Sequence, residues 1–243
     1  MILIIQSRTD TSAWHELKCL YMASGMKFNE FSILNIGSSF VHESDVREQA
    51  QKADAIIIGG LGEVTYGETD PQKKAWLDSV RQKTVPVLKE VISNNTPTLG
   101  ICFGHQLLAE ATGSEVGPHE EQTEKGVYTI ELTEAGKKDP LFANMPGTFQ
   151  ALEYHKDVVL SLPKGTTQLA QTLTCPMQSV KYANKVYGVQ FHPELSLPEL
   201  EYRAGLYTKE PQRYHGTEEL VGDASNFIVV RNFLRIAGLN PQE

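Results

Sequence analysis

Residues 97–109 read P-T-L-G-I-C-F-G-H-Q-L-L-A. The apolar run 97–101 predicts a strand, and 104–112 predicts the helix that follows it. No loop separates them: the turn is centred on Cys102, with Gly100 two positions before and Gly104 two positions after. A strand that turns straight into a helix is the repeating unit of a parallel sheet with helical crossovers.

The same alternation extends upstream. Residues 2–5, 31–36 and 53–58 predict three more strands. The last is almost continuously apolar up to Gly59 and Gly60, as suits a strand covered on both faces. Trp14, Leu17, Leu20 and Tyr21 have helical spacing, predicting a helix over 11–23 that stops near Gly25. Residues 44–52 predict a short polar helix. Asp70-Pro71 opens another, with Asp70 as N-cap and Pro71 at the first helical position. Pro86 is expected to split or kink it before its end near Asn94-Asn95.

After Gly113 the pattern changes. Residues 127–132, 148–153, 158–162, 168–174 and 179–191 read as short strands with tight turns, and 226–236 as a closing amphipathic helix. Residues 205–222 are the least regular stretch and are expected to form a surface loop. The expectation is an α/β fold with a mostly parallel central sheet flanked by helices and a smaller, partly antiparallel layer. It occupies one domain, 1–243.

Composition narrows the function. Of 243 residues, 40% are hydrophobic and 21% charged, a globular balance. The formal net charge of −8 and the lack of a Lys/Arg run argue against nucleic acid or an anionic membrane as a partner. No apolar stretch approaches the roughly 18 residues of a spanning helix. The opening M-I-L-I-I-Q-S-R reads as a strand and not a signal peptide. Cys19, Cys102 and Cys175 form no paired spacing, so a reducing, cytoplasmic setting is expected.

Gly100-Ile101-Cys102-Phe103-Gly104 is the thiol counterpart of a nucleophile elbow. Glycines flank such a turn because side chains there would collide with the strand and helix. The helix N-terminus favours a thiolate and lowers the thiol pKa from about 8.5. The Phe103 N–H is placed to stabilise an oxyanion. Cys19 and Cys175 read as packing cysteines.

A thiol nucleophile needs a base, and the base needs an orienting group. Val189-Gln190-Phe191-His192-Pro193-Glu194 supplies both, since residues two apart on an extended segment project to the same side. His105, beside the elbow, is the competing base, as in cysteine-elbow proteins of the chaperone or protease type. His15, His42, His119 and His215 lie in polar stretches and read as solvated.

G-I-C-F-G-H-Q followed by V-Q-F-H-P-E resembles the class I, triad-type glutamine amidotransferase family over about residues 53–195. It is most similar to stand-alone members like the glutaminase part of GMP synthase. The resemblance implies a flavodoxin-like fold and hydrolysis of the glutamine side-chain amide to glutamate and ammonia, a cleavage that calls for neither metal nor organic cofactor. It implies Cys102 as nucleophile, His192 as base and Glu194 as its orienter, with a γ-glutamyl thioester between two half-reactions. Gly59-Gly60-Leu61-Gly62 resembles the oxyanion loop usually read G-G-P-G, which implies a second oxyanion N–H from Gly60 and a place for Gly62 at the site. Gln106 matches the family's glutamine-contacting residue. Tyr154-His155-Lys156-Asp157 aligns with S-H-G-D, whose backbone holds the amino-acid end of the substrate.

Leu61, Tyr154 and Lys156 depart from those patterns. They leave free glutamine and larger γ-glutamyl peptides or amines both open as substrates. No S-G-G-x-D-S stretch is present, so any ammonia-using synthetase would be a separate chain. A non-catalytic regulatory subunit is the alternative of another class.

Overall fold

The computed structural model describes residues 1–162, 164–207, 214–219 and 225–242. In chain order the elements begin β1 (Ile2–Gln6), α1 (Ser12–Ser24), β2 (Phe31–Asn35), α2 (Glu43–Lys52), β3 (Ala55–Ile58), α3 (Pro71–Ser93), β4 (Thr98–Ile101) and α4 (Phe103–Ala111). There follow β5 (Val116–Pro118), β6 (Glu124–Leu132), β7 (Thr148–His155), β8 (Asp157–Val159), β9 (Thr167–Gln171), β10 (Ser179–Ala183) and β11 (Val186–Val189). Two helices, α5 (Leu197–Gly205) and α6 (Phe227–Ile236), complete the order.

One mixed sheet runs β2-β1-β3-β4-β11-β10-β9-β6-β7. The first five strands are parallel and the rest antiparallel. A small antiparallel sheet pairs β5 with β8. The later strands mostly extend the main sheet and leave only this pair as a separate layer. The region 179–191, read above as one strand, is a hairpin. Asn184 and Lys185 separate β10 from β11, and β11 then runs parallel to β4. The short β5 and α5 carry too little periodicity to have been read from the sequence.

Both faces of the parallel half are covered. Ile2, Ile4, Ile57 and Leu99 pack with α1 and α6 residues such as Leu20, Val230 and Phe233. Leu3, Ile5, Ile56 and Ile58 pack with Val46, Val80, Leu88 and Leu107 from α2, α3 and α4. Two-sided burial is why β1 and β3 are unbroken apolar runs.

Two helices differ from expectation. α3 continues through Pro86 without splitting. Its buried stripe of Leu77, Val80, Val87, Leu88 and Val91 outweighs the roughly 3 kcal/mol of a helix-interior proline. The Asp70 cap is as read, accepting from the Gln72 and Lys73 amides. In α1, Trp14 is 77% exposed and Tyr21 is 41% exposed. The buried face is instead Ser12, His15, Glu16, Cys19, Leu20 and Ala23, so His15 is not solvated. Its polar members are buried because they bind the end of the sheet that carries the site. Of the expected loop, residues 208–213 and 220–222 lie outside the described residues; Gly205 ends α5, and His215 bridges to Gly126.

The elbow is held by backbone contact. A Cβ on Gly100 would sit 2.4 Å from the Gly104 carbonyl carbon, and one on Gly104 would sit 2.4 Å from the Ile58 carbonyl oxygen. Cys102 between them has φ 53° and ψ −102°, a sparsely populated conformation costing about 1–3 kcal/mol. Gly100→Ala and Gly104→Ala should therefore each destabilise the protein by about 1–3 kcal/mol or more, through overpacking against backbone. Urea unfolding measures this, and unchanged midpoints would show that the elbow has room to spare.

Candidate active site

β4 and β11 are neighbours with Ile101 beside Val189, and the Cys102 N–H donates to the Val189 carbonyl at 2.8 Å. Both strands thus deliver their next residues to one edge of the sheet. His192 is pinned there by its own N–H, which donates to the Leu152 carbonyl at 2.8 Å. Its Nδ1 lies 2.9 Å from Glu194 Oε1. An ionised carboxylate only accepts, so Nδ1 is the donor in this contact. Both residues are buried.

Arg203, from α5, donates through Nη1 to the same Glu194 oxygen at 2.8 Å. Burial alone would raise the Glu194 pKa; the charges and hydrogen bonds of His192 and Arg203 reverse this and hold it at about 2. Arg203 Nε also donates to His15 Nδ1 at 3.1 Å, and His15 Nε2 meets Glu199. A chain of contacts therefore runs from the His192 imidazole through Glu194, Arg203 and His15 to Glu199.

Cys102 is 8% exposed, and burial pushes its thiol up to about 12. Arg8 and the Phe103 amide pull the other way without prevailing. Burial thus opposes the expected thiolate, and the Phe103 amide at the helix N-terminus pulls against that burial. Cys102 Sγ makes no hydrogen bond to His192; the pairing of β4 with β11 brings the two residues to the same end of the sheet.

The loop after β3 is held from beneath. The Gly60 N–H donates to Glu16 Oε1 at 2.9 Å, and the Ser7 hydroxyl donates to the Gly60 carbonyl at 2.8 Å. Glu16 in turn accepts from Arg8 Nε at 2.9 Å, an ion pair with both side chains at most 3% exposed. The amide expected to serve as the second oxyanion donor is therefore engaged by a carboxylate. Arg8 also reaches Ser12 and the Tyr207 hydroxyl. A Cβ on Gly60 would lie 3.0 Å from Arg8 Nη2, a tight contact, and 3.5 Å from His192 Cε1, an ordinary one, so the loop passes closely between them.

In front of Cys102 opens a cavity of about 300 Å³, whose lining includes Gly62, Phe103, Gln106, Tyr154 and His155. The Gln106 amide donates to the Asp157 carbonyl at 2.8 Å and to Gln190 Oε1 at 3.2 Å. The His155 side chain is 1% exposed, with Nε2 3.3 Å from both Glu124 Oε2 and Glu153 Oε2. Only the Glu124 contact has hydrogen-bond alignment. Although burial opposes it, the two carboxylates raise His155 to about 9, and burial raises Glu153 to about 7. Glu124 is further satisfied by Thr172, Thr174 and Gln178.

His105 faces elsewhere. Its Nε2 bonds the Met177 carbonyl at 3.0 Å and its Nδ1 the Tyr182 hydroxyl at 2.9 Å, so neither nitrogen is left for the thiol. Burial lowers it to about 4. Among the described residues, two groups bring potential metal ligands within 4.8 Å of one another: His15, Cys19 and Glu199, and Glu124, His155 and Cys175. The first faces the cations Arg203 and Lys18, and Cys19 is pushed up by burial to about 12. In the second, Glu124 is already committed to hydroxyl and amide donors. Neither donor set is well suited to a cation.

Arg8, Glu16 and Arg203 escaped the sequence reading. Ser12, His15, Glu16, Cys19, Leu20 and Ala23 do have helical spacing. That face was obscured because the larger apolar residues Trp14 and Tyr21 lie off it. Arg203 leaves no local signal.

The family profile described as "Glutamine amidotransferase class-I" matches residues 24–203. The chain is 37% identical over 122 residues to a glutamine-hydrolyzing GMP synthase subunit of Thermococcus kodakarensis, covering 50% of this chain and 62% of that protein. It is 32% identical over 168 residues to the subunit of the same name from Methanococcus aeolicus, covering 68% of this chain and 87% of that one. A solved glutamine amidotransferase from Methylobacillus flagellatus superposes with a TM-score of 0.68 at 16% identity, covering 100% of this chain and 96% of that one. The chain belongs to the class I glutamine amidotransferase family.

Proposed function

We propose that the chain hydrolyses the side-chain amide of glutamine to glutamate and ammonia, with Cys102 as nucleophile, His192 as base and Glu194 as orienter. The observation that carries this is the strained Cys102 turn at the end of β4 and the Glu194-oriented imidazole that follows the neighbouring strand β11. His192 Nε2 takes the thiol proton as Sγ bonds to the amide carbon, and the carbonyl electrons move onto oxygen. The Phe103 N–H stabilises that oxyanion. His192 then passes the proton to the departing nitrogen, the carbon–nitrogen bond breaks, and ammonia leaves behind a γ-glutamyl thioester. Water, deprotonated by His192, cleaves the thioester and returns the thiol. Because the resting thiol lies near 12, proton removal accompanies attack. The names of the relatives support a separate synthetase as consumer of the ammonia, and the unpaired cysteines support action in a reducing compartment. All three triad positions are occupied by competent residues, which favours a working enzyme over a regulatory subunit.

Purified protein should release ammonia from L-glutamine, and Cys102→Ala should not. If the wild type released no more than Cys102→Ala with glutamine, with γ-glutamyl compounds or with a synthetase added, the proposal would fail.

Of the cysteines, only Cys102 lines the cavity, so mass spectrometry of the folded protein should find it alkylated before Cys19 and Cys175. A thiol near 12 exposes more thiolate with every rise in pH. The labelling rate should climb roughly tenfold per unit between pH 7 and 9. A plateau in that window would indicate a thiolate already formed at rest.

Arg203→Met should lower kcat by about 10- to 100-fold with a smaller effect on KM, as for loss of a charged hydrogen bond that orients another group. Glu194, held at about 2, contributes stability above its unfolded pKa of about 4.3 and loses it as pH falls through about 2. Without Arg203 the folded-state pKa rises, so acid unfolding followed by circular dichroism should shift to higher pH. An unmoved acid transition would deny Arg203 this positioning role.

A further inference from the structure

The cavity in front of Cys102 contains two lysines that the mechanism does not use. Lys125 lies on β6 opposite Tyr154 on β7, and Lys156 follows the end of β7; both line the same cavity as Cys102. Neither forms an ion pair among the described residues, whereas Lys18, Lys52, Lys137 and Lys181 all do. Neither cavity acid forms a salt bridge with them among the described residues, although Lys156 and Asp157 feel each other's charge. Glu63 forms no salt bridge among the described residues, and Asp157 instead accepts the Tyr66 N–H at 2.9 Å.

Lys125 is partly buried, with its ammonium 5.5 Å from the centre of the Tyr154 ring. Burial and the neighbouring Lys156 push its pKa down. A partly desolvated ammonium beside a second one, with a ring face as its compensation among the described residues, is costly until an anion arrives. The volume of about 300 Å³ is at the small end of ligand pockets, so an anion held by these lysines would belong to the molecule that reacts at Cys102.

We infer that Lys125 and Lys156 form a carboxylate-binding subsite of the Cys102 cavity, which holds a carboxylate of the glutamyl substrate during amide cleavage. The inference rests on the amide-hydrolase reading above and adds a specificity determinant to it. The preferred occupant is the α-carboxylate of glutamine itself. The same chemistry is offered by the carboxylate of an amino acid γ-linked as the leaving group. Tyr154 supplies the platform over which Lys125 is held, giving two of the departures from the family pattern, Tyr154 and Lys156, a common purpose.

The test compares wild type with Lys125→Met, Lys156→Met and the charge-keeping Lys125→Arg. Substrates are L-glutamine, its α-amide, γ-glutamylglycine and γ-glutamyl methylamide. Removal of either charge should raise KM for glutamine about 10- to 100-fold with kcat little changed, leave the α-amide unaffected, and be rescued in part by arginine. An effect confined to γ-glutamylglycine would support the subsite and assign it to the leaving group. Equal effects on charged and neutral substrates, or none, would overturn it. A second readout needs no turnover: the ratio of Cys102 alkylation rates by iodoacetate and iodoacetamide. It should fall about tenfold in the methionine variants; an unchanged ratio would refute the subsite. Loss of all ammonia release in wild type with the alkylation ratio still dependent on Lys125 would instead point to the hydrolase reading as the part at fault.

Discussion

The left-handed backbone at Cys102 is the constraint on which the rest of the site depends. With φ at 53° and ψ at −102°, the chain leaves β4 and enters α4 within one residue, and the thiol stands at the sheet edge. This requires α4 to begin against the carbonyl of Ile58 and the strand to lie against the helix's first turn. Only hydrogen fits at positions 100 and 104. The buried faces of β3, β4 and α4 supply the packing that holds the strained residue in place.

Around this turn the protein has buried more charge than an apolar core tolerates unpaired, and the pairing organises the site. Arg8 and Glu16 neutralise each other beneath the loop after β3, and the spare capacity of Glu16 captures the Gly60 amide. Arg203 and Glu194 do the same behind His192. Each pair uses the second half of its hydrogen-bonding capacity to fix something that must not move: a loop in one case, an imidazole tautomer in the other. Buried ion pairs are poor sources of stability, and holding geometry is the better account of their presence here. The cluster of Glu124, Glu153 and His155 fits the same view, since it anchors β6 to β7 directly behind the strand end that carries Tyr154 and Lys156.

What could be read from the sequence divides along physical lines. β1, β3, β4, the elbow, the Asp70 cap and the His192–Glu194 pair were legible because each is local: a run, a turn or a two-residue spacing settles it. The split at Pro86 does not occur, because tertiary burial outweighs a propensity rule there. The face of α1 was misread for a related reason. Trp14 and Tyr21 are large and apolar yet outside, while His15 and Glu16 are polar and inside, and only the partners Arg203, Arg8 and Gly60, distant in sequence or in another element, explain that inversion. The 184-residue separation of His15 from Glu199 has no local trace.

The thiol shows how these levels interact. A local argument, the helix N-terminus, predicts a lowered pKa and is correct in sign; the Phe103 amide does pull Cys102 down. Yet the close packing that permits the turn also removes water from the sulfur, and the nearby carboxylates Glu153 and Glu194 push the same way. Arg8 is too committed to Glu16 to offset them. The feature that positions the thiol therefore raises its pKa, and in the proposed reaction its activation falls to His192. Glu194 and Arg203, which fix the imidazole from behind, are therefore part of the same construction as the buried thiol.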